Sequence, residues 1–365
     1  MKTPNYDRCL VNLSCSIISH YGVQPTHKTL PEVDALLSKN FKHVIVMLFD
    51  GMGTSILAKH LSENSFLRQH LAFEYDSVFP PTTTSATTSL MTSLTPIEHG
   101  WLGWSLYFAE ENKIVNAFPN TLKDTKIAAA PYNVAKKYLP YKSIFEKIAE
   151  KNSTELHGLA DFINQRYTNL DNCFIDAKNI CNEDKNTFTY LYWKNPDADL
   201  HLNGTDSPKI TKILVDINER VEKFCKDVKD TLVLITADHG HTNIENIVLS
   251  DYPDFTRMLK MPTSIEPRAV SFFVKDEYKN AFASEFNKLF GKDFSLYTKD
   301  EVLKMQLFGD GVPNANITGL GDFIGVATGN KALVWSKDSN QFKSHHAGLT
   351  LPEIKIPLIA VQCPC

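Results

Sequence analysis

Asp50 closes the apolar run Val44-Ile-Val-Met-Leu-Phe, and Asp238 and His239 follow Leu232-Val-Leu-Ile-Thr-Ala, so two carboxylates and an imidazole stand where buried strands would stop. Open α/β sheets hold their ligands at such strand ends. Asp197 and His201 lie four residues apart in Asn195-Pro-Asp-Ala-Asp-Leu-His, a spacing that lets both side chains reach one ion from a helical turn. A carboxylate with a neutral imidazole suits zinc. Asp199 competes with Asp197, but on a helical turn it points elsewhere. Neighbouring ligands such as Asp238 and His239 can grip one ion only where the chain turns sharply, which Gly240 permits. His346 adds one more imidazole ahead of the final apolar run, while His345 reads as an ordinary loop histidine and His241 as a supporting or solvent-facing one.

A hydroxyl completes the set. In Phe79-Pro-Pro-Thr-Thr-Thr-Ser-Ala-Thr-Thr-Ser-Leu90 the prolines bar a helix, and the hydroxyl residues after them can cap one running from Thr84 to Leu94. A threonine there gains from the positive end of the helix, which favours its alkoxide, and from free N–H groups that can hold a phosphate. Simple capping in a Thr/Ser-rich turn is the alternative at Thr82, Thr83 and Thr84 alike. Taken together, three carboxylates and an alkoxide would balance the four positive charges of two divalent cations. Two such ions about 3.5 to 4 Å apart favour phosphoryl or sulfuryl transfer through a covalent threonine intermediate.

These residues need a scaffold that brings five distant segments together. The runs 44–50 and 232–236 are apolar without alternation, the pattern of strands covered on both faces in a parallel sheet, and 188–193 and 356–361 are similar. Between them, 143–151 and 210–229 carry helical spacing, with Ile210, Ile213, Leu214, Ile217, Val221 and Phe224 on one face. The alternation predicts an α/β fold in one principal domain over 1–365, and a β-α-β-α rhythm over 264–334 predicts a small inserted α+β subdomain.

Composition narrows the function. A net charge of -4 with no Lys/Arg-rich block argues against a nucleic-acid polymer as partner and for a small phosphorylated substrate. The seven cysteines form no CxxC pair and no compact disulfide framework, which predicts reduced thiols in a cytoplasmic protein; Cys363 and Cys365 read as incidental thiols near the terminus. The stretch from Leu10 to Ile18 is too polar for a signal-peptide core, and no run approaches the roughly 18 apolar residues of a membrane span, so no membrane association is expected.

In order along the chain, the segment ending in Asp50-Gly, Phe79-Pro-Pro-Thr-Thr83 running on to His99-Gly100, Pro196-Asp197 to His201-Leu-Asn-Gly204, Ala237-Asp-His-Gly240 and His346-Ala-Gly-Leu-Thr resemble the type I phosphodiesterase and nucleotide pyrophosphatase family of the alkaline phosphatase superfamily. The resemblance implies a three-layer α/β/α sandwich around a largely parallel sheet and two zinc ions, with Mn2+ as the alternative metal. By motif position, Asp197, His201 and His346 would hold one ion, and Asp50, Asp238 and His239 the other, beside the nucleophile. The family spacing of sixteen residues before His99 selects Thr83 as that nucleophile and as a further metal ligand, forming a phospho-threonine that water then hydrolyses. Where animal members carry an asparagine that helps hold the phosphate, this chain has Trp104, which with Tyr107 could stack on a nucleobase or aryl group. The expected activity is cleavage of a phosphodiester or pyrophosphate bond, a nucleotide-type substrate being favoured. A phosphomonoesterase on the same site and a non-catalytic binding protein are the alternatives. The sulfatase sequence context is absent, and a cofactor-independent phosphoglycerate mutase would use serine and a much larger insert.

Overall fold

The computed structural model describes residues 3–314, 317, 319–339 and 341–364. A six-stranded sheet forms the centre, in the order Leu71–Asp76, Lys355–Cys363, Thr231–Thr236, His43–Phe49, Thr187–Trp193, Glu155–Leu159. His43–Phe49 runs parallel to both of its neighbours, and every residue of it is buried, which is why its sequence is apolar throughout rather than alternating. The final strand, read from its pattern as one more of the parallel set, instead runs antiparallel to both Thr231–Thr236 and Leu71–Asp76. Burial on both faces gives the same apolar run in either direction, so strand polarity is not encoded in it.

The amphipathic helix Pro208–Asp227 buries Ile210, Leu214, Ile217, Val221 and Phe224, the face expected from spacing. Leu10–His20, whose polar residues disqualified it as a signal peptide, is a buried helix packed behind Thr83–Thr92, where the Ser14 hydroxyl donates to the Leu90 carbonyl at 2.6 Å. Its hydroxyls find partners inside the protein.

A second, seven-stranded sheet joins Phe294–Thr298, Phe323–Ala327, Ala269–Phe272 and Ser264–Glu266 to Ser105–Phe108, Lys113–Asn116 and Thr121–Leu122. Its strands thus come from 105–122 as well as from the 264–334 segment. Behind it, Phe255, Phe272, Phe282, Phe286, Phe290 and Phe294 form an aromatic core. No described helix is long and apolar enough to cross a membrane.

Candidate active site

Three strand ends converge. The Asp50 N–H donates to the Trp193 carbonyl (2.9 Å), and the Asp197 N–H donates to the Asp50 carbonyl (2.9 Å), so the ends of two paired strands are tied by backbone alone. Asp238 follows the next strand and receives the Gly51 N–H on Oδ1 at 3.0 Å. The glycines serve close approach. A Cβ on Gly51, whose φ is +73°, would stand 3.0 Å from Asp197 Cα. One on Gly240 would lie 2.0 Å from the Pro352 carbonyl oxygen. Gly240 has no positive φ, so what it supplies is room rather than an unusual turn. Gly240→Ala is expected to displace Asp238 and His239 and weaken metal affinity at least about tenfold, readable by competitive chelator titration.

The threonine run resolves by direction. Thr82 donates its hydroxyl to Glu266 Oε1 at 2.6 Å, and Thr84 is fully buried. Thr83, first residue of the helix Thr83–Thr92, holds its Oγ1 3.3 Å from Asp50 Oδ2 and 3.3 Å from His239 Nε2. Thr84, its neighbour on the helix, does not line the cleft.

Around Thr83 the donor atoms form two groups, Asp50 with Asp238 and His239, and Asp197 with His239, His241 and His346, each with its atoms within 4.8 Å of one another. The first is the set expected from sequence. In the second, His241 occupies the compact position that spacing gave to His201. His241 is buried with Nε2 2.6 Å from Asp197 Oδ1, while His201 Nε2 lies 3.4 Å from the same oxygen. His346 Nε2 is 3.8 Å from it. Asp199 points away and pairs with Lys209 at 2.6 Å.

These residues fit divalent cations. Among the described residues, Asp238 Oδ2 is buried without a hydrogen-bond partner, a state that costs roughly 1 to 3 kcal/mol unless a ligand satisfies it. The imidazoles are oriented from behind: Nδ1 faces the Gly240 carbonyl in His239 (3.1 Å), the Ser344 carbonyl in His201 (2.9 Å) and the Pro81 carbonyl in His346 (3.2 Å). With Nδ1–H donating there, Nε2 is the ring nitrogen turned to the site, where it can bind a cation in place of a proton. Burial, then repulsion from Asp50, pushes the Asp238 carboxyl well above the usual carboxylate range. His239 is pushed up to about 10 because, although burial opposes its charge, the carboxylates of Asp238 and Asp50 outweigh it. So much negative charge in a dry site calls for a cation.

Three residues were not found from sequence. Tyr192 donates its hydroxyl to Asp50 Oδ2 at 2.5 Å, one strand over from Asp50. Its sequence signal is that of any aromatic in a buried strand. Arg268 and Glu353 form a fully buried bidentate pair, both contacts at 2.7 Å. Glu353 also accepts the Gly348 N–H on Oε1 (2.8 Å) and the Gly240 N–H on its carbonyl (2.8 Å), so one pair fastens the turn after His239 and the loop after His346.

A cleft of about 930 Å³ opens above the site, lined by Thr82, Thr83, Asp197, His201 and His346 at one end and by Trp104, Trp335 and Phe342 among its walls. Tyr107 does not line it. That hydroxyl donates to Asn112 Oδ1 and the ring packs on Phe273 with centroids 5.0 Å apart, which holds Tyr107 on the far side of the hairpin.

A chain of this fold with these residues at its strand ends is a metal-dependent phosphoric ester hydrolase. It belongs to the type I phosphodiesterase / nucleotide pyrophosphatase family, whose pattern matches residues 44–347. Solved structures of the same fold include murine ectonucleotide pyrophosphatase / phosphodiesterase 5 in an inactive form complexed with AMP, at 15% identity and TM-score 0.67 over 88% of each chain. Human ectonucleotide pyrophosphatase / phosphodiesterase 5 gives 16% and 0.68 over 87% of each chain. Phosphonoacetate hydrolase from Sinorhizobium meliloti 1021, in complex with phosphonoacetate, gives 14% and 0.65 over 87% of this chain and 89% of that one. The architecture is therefore alkaline-phosphatase-like. A search of curated protein sequences returns no match.

Proposed function

We propose that this chain is a two-zinc phosphodiesterase or pyrophosphatase acting on a small nucleotide-type substrate, with Thr83 as the nucleophile. The observation that carries the reading is the placement of Thr83 Oγ1 at the floor of the cleft, 3.3 Å from both Asp50 Oδ2 and His239 Nε2. Asp197, His201 and His346 would hold one ion, with His241 steadying Asp197, and Asp50, Asp238 and His239 the other, with Mn2+ an alternative to zinc. The bound ions would supply Lewis acidity to the phosphoryl oxygens and lower the pKa of water.

The Thr83 oxygen attacks phosphorus and gives its proton toward Asp50. The alcohol or phosphate leaving group departs into the cleft, and water then hydrolyses the phospho-threonine. Tyr192 donates to Asp50 Oδ2 and so holds the carboxylate that faces Thr83. An inactive murine relative complexed with AMP carries a threonine-to-alanine change, and Trp104, Trp335 and Phe342 offer stacking surfaces for a base, both of which support this reading. Residues 1–365 act as one catalytic domain, with 264–334 a subdomain that walls the cleft. The six buried free cysteines among the described residues support a reducing, cytoplasmic setting.

Chelation should abolish hydrolysis of bis-p-nitrophenyl phosphate, and zinc should restore it, with two equivalents of metal in the active protein by elemental analysis. Full activity at fewer than two equivalents would refute the two-ion site. Faster turnover of p-nitrophenyl phosphate than of the diester would make the protein a phosphomonoesterase. Turnover of neither by the metal-loaded protein would leave a binding protein.

A further inference from the structure

Ser264–Glu266 turns back through Pro267 and Arg268 into Ala269–Phe272, with Glu266 opposite Ala269. Ile265 adopts φ +74°, a region that β-branched residues rarely enter. Backbone strain of this kind persists only where the surroundings fix it, and it clusters at ligand sites. Its effect here is to present Glu266 to the cleft. The side chain is 7% exposed, and it lines the cleft with Thr82 and Thr83. Oε1 is fully used, accepting the Thr82 hydroxyl at 2.6 Å and the Trp104 N–H at 2.8 Å. Among the described residues, nothing donates a hydrogen bond to Oε2.

The carboxyl therefore spends one oxygen on the two segments that flank the phosphoryl position and leaves the other without a protein partner. Lys123 and Lys126 both line this cleft, but Lys123 Nζ donates to the Thr263 carbonyl at 2.5 Å and, among the described residues, neither lysine makes an ion pair with Glu266. Asp197 and His239 are the other charged groups that act on it. A phosphoryl group over Thr83 meets Glu266 beside the threonine next to the nucleophile. Two like charges in so dry a wall repel far more strongly than in water.

We propose that Glu266 is a specificity-determining residue that favours phosphoryl groups carrying a single negative charge, as in phosphodiesters, over the dianions of phosphomonoesters. The proposal rests on the phosphodiesterase reading and names the residue that enforces its substrate class.

Glu266→Gln removes the charge and keeps an oxygen for both existing donors. Thr82→Val keeps the charge and removes one of those bonds. Burial pushes the Glu266 carboxyl up to about 7, so zinc-loaded proteins are compared at about pH 8.5, where this carboxyl is ionised. Rates on p-nitrophenyl phosphate and bis-p-nitrophenyl phosphate are read beside calorimetric affinity for inorganic phosphate. Glu266→Gln should raise the monoester-to-diester ratio of kcat/KM, and tighten phosphate binding, each by about tenfold or more. Thr82→Val should leave the ratio and the affinity within about twofold. An equal loss on both substrates in the two variants, or unchanged phosphate affinity in Glu266→Gln, would overturn the proposal by reducing Glu266 to an anchor for Thr82. Should the wild type turn over neither substrate, the phosphodiesterase reading fails, and the phosphate affinities still decide the role of Glu266.

Discussion

Thr83→Ala is expected to lower kcat by about a thousandfold or more, because it removes the atom that forms the covalent bond rather than one that merely binds. Structure should survive the change. Thr83 begins a helix whose N-cap position is Thr82, among the described residues its Oγ1 contacts only Asp50 and His239 at 3.3 to 3.4 Å, and it is partly exposed. Metal content and thermal stability should therefore stay near those of the wild type. Thr83→Ser keeps a hydroxyl and should retain measurable turnover, while trapped phosphate on a threonine other than Thr83, seen by peptide mass spectrometry, would reassign the nucleophile. Activity in the alanine variant above a few percent of wild type would do the same.

The second large effect concerns stability. Arg268→Met should destabilise the metal-free protein by about 3 to 5 kcal/mol, because it strands Glu353 as a buried, uncompensated charge. The accompanying fall in Tm is on the order of 5 to 10 °C. Arg268 also donates to the Gly329 carbonyl (2.9 Å) and the Lys331 carbonyl (2.6 Å), so several buried acceptors lose their partner together. Because Glu353 fastens both the Gly240 turn and the loop after His346, the same variant should bind zinc more weakly. The double variant Arg268→Met with Glu353→Leu removes the stranded charge, and scanning calorimetry should find it more stable than the single variant. A single variant that melts with the wild type would show that the pair contributes nothing.

Much of this was legible in the chain. The runs ending at Asp50 and Asp238 show themselves because strands covered on both faces must be apolar throughout, and a ligand at such an end interrupts the run conspicuously. The helix carrying Asp197 and His201 follows from their spacing, and it forms over Asp197–Asn203. What stayed hidden depends on contacts between distant segments. The partnership of 105–122 with 264–327 in one sheet leaves no local mark, because each strand's pattern is satisfied by any apolar neighbour. The contact of His241 with Asp197 leaves no local mark, because only the fold brings that ring against a residue 44 positions away in sequence. Glu266 and Arg268 did leave a trace: two charges bracket Pro267 between runs that are otherwise uncharged, Met261–Ile265 and Ala269–Val274. Both are buried, and they do opposite things, one opening onto the cleft and one closing the core beneath it.

The strand His43–Phe49 pairs residue for residue, without a slip, with Thr187–Trp193 on one side and Thr231–Thr236 on the other. Neighbouring strands in any sheet stand about 4.8 Å apart, a distance set by the peptide group and indifferent to side chains. Asp50, Asp238 and the segment entering Asp197 hang from these three adjacent rails. The gauge of the ion site is thus inherited from the backbone itself, while Ser105, Asn116, Ser264 and Glu266 of the other sheet contribute to the cleft walls. Chemistry and choice can then drift apart in evolution, since rewriting Glu266 or Trp104 leaves the rails where they are.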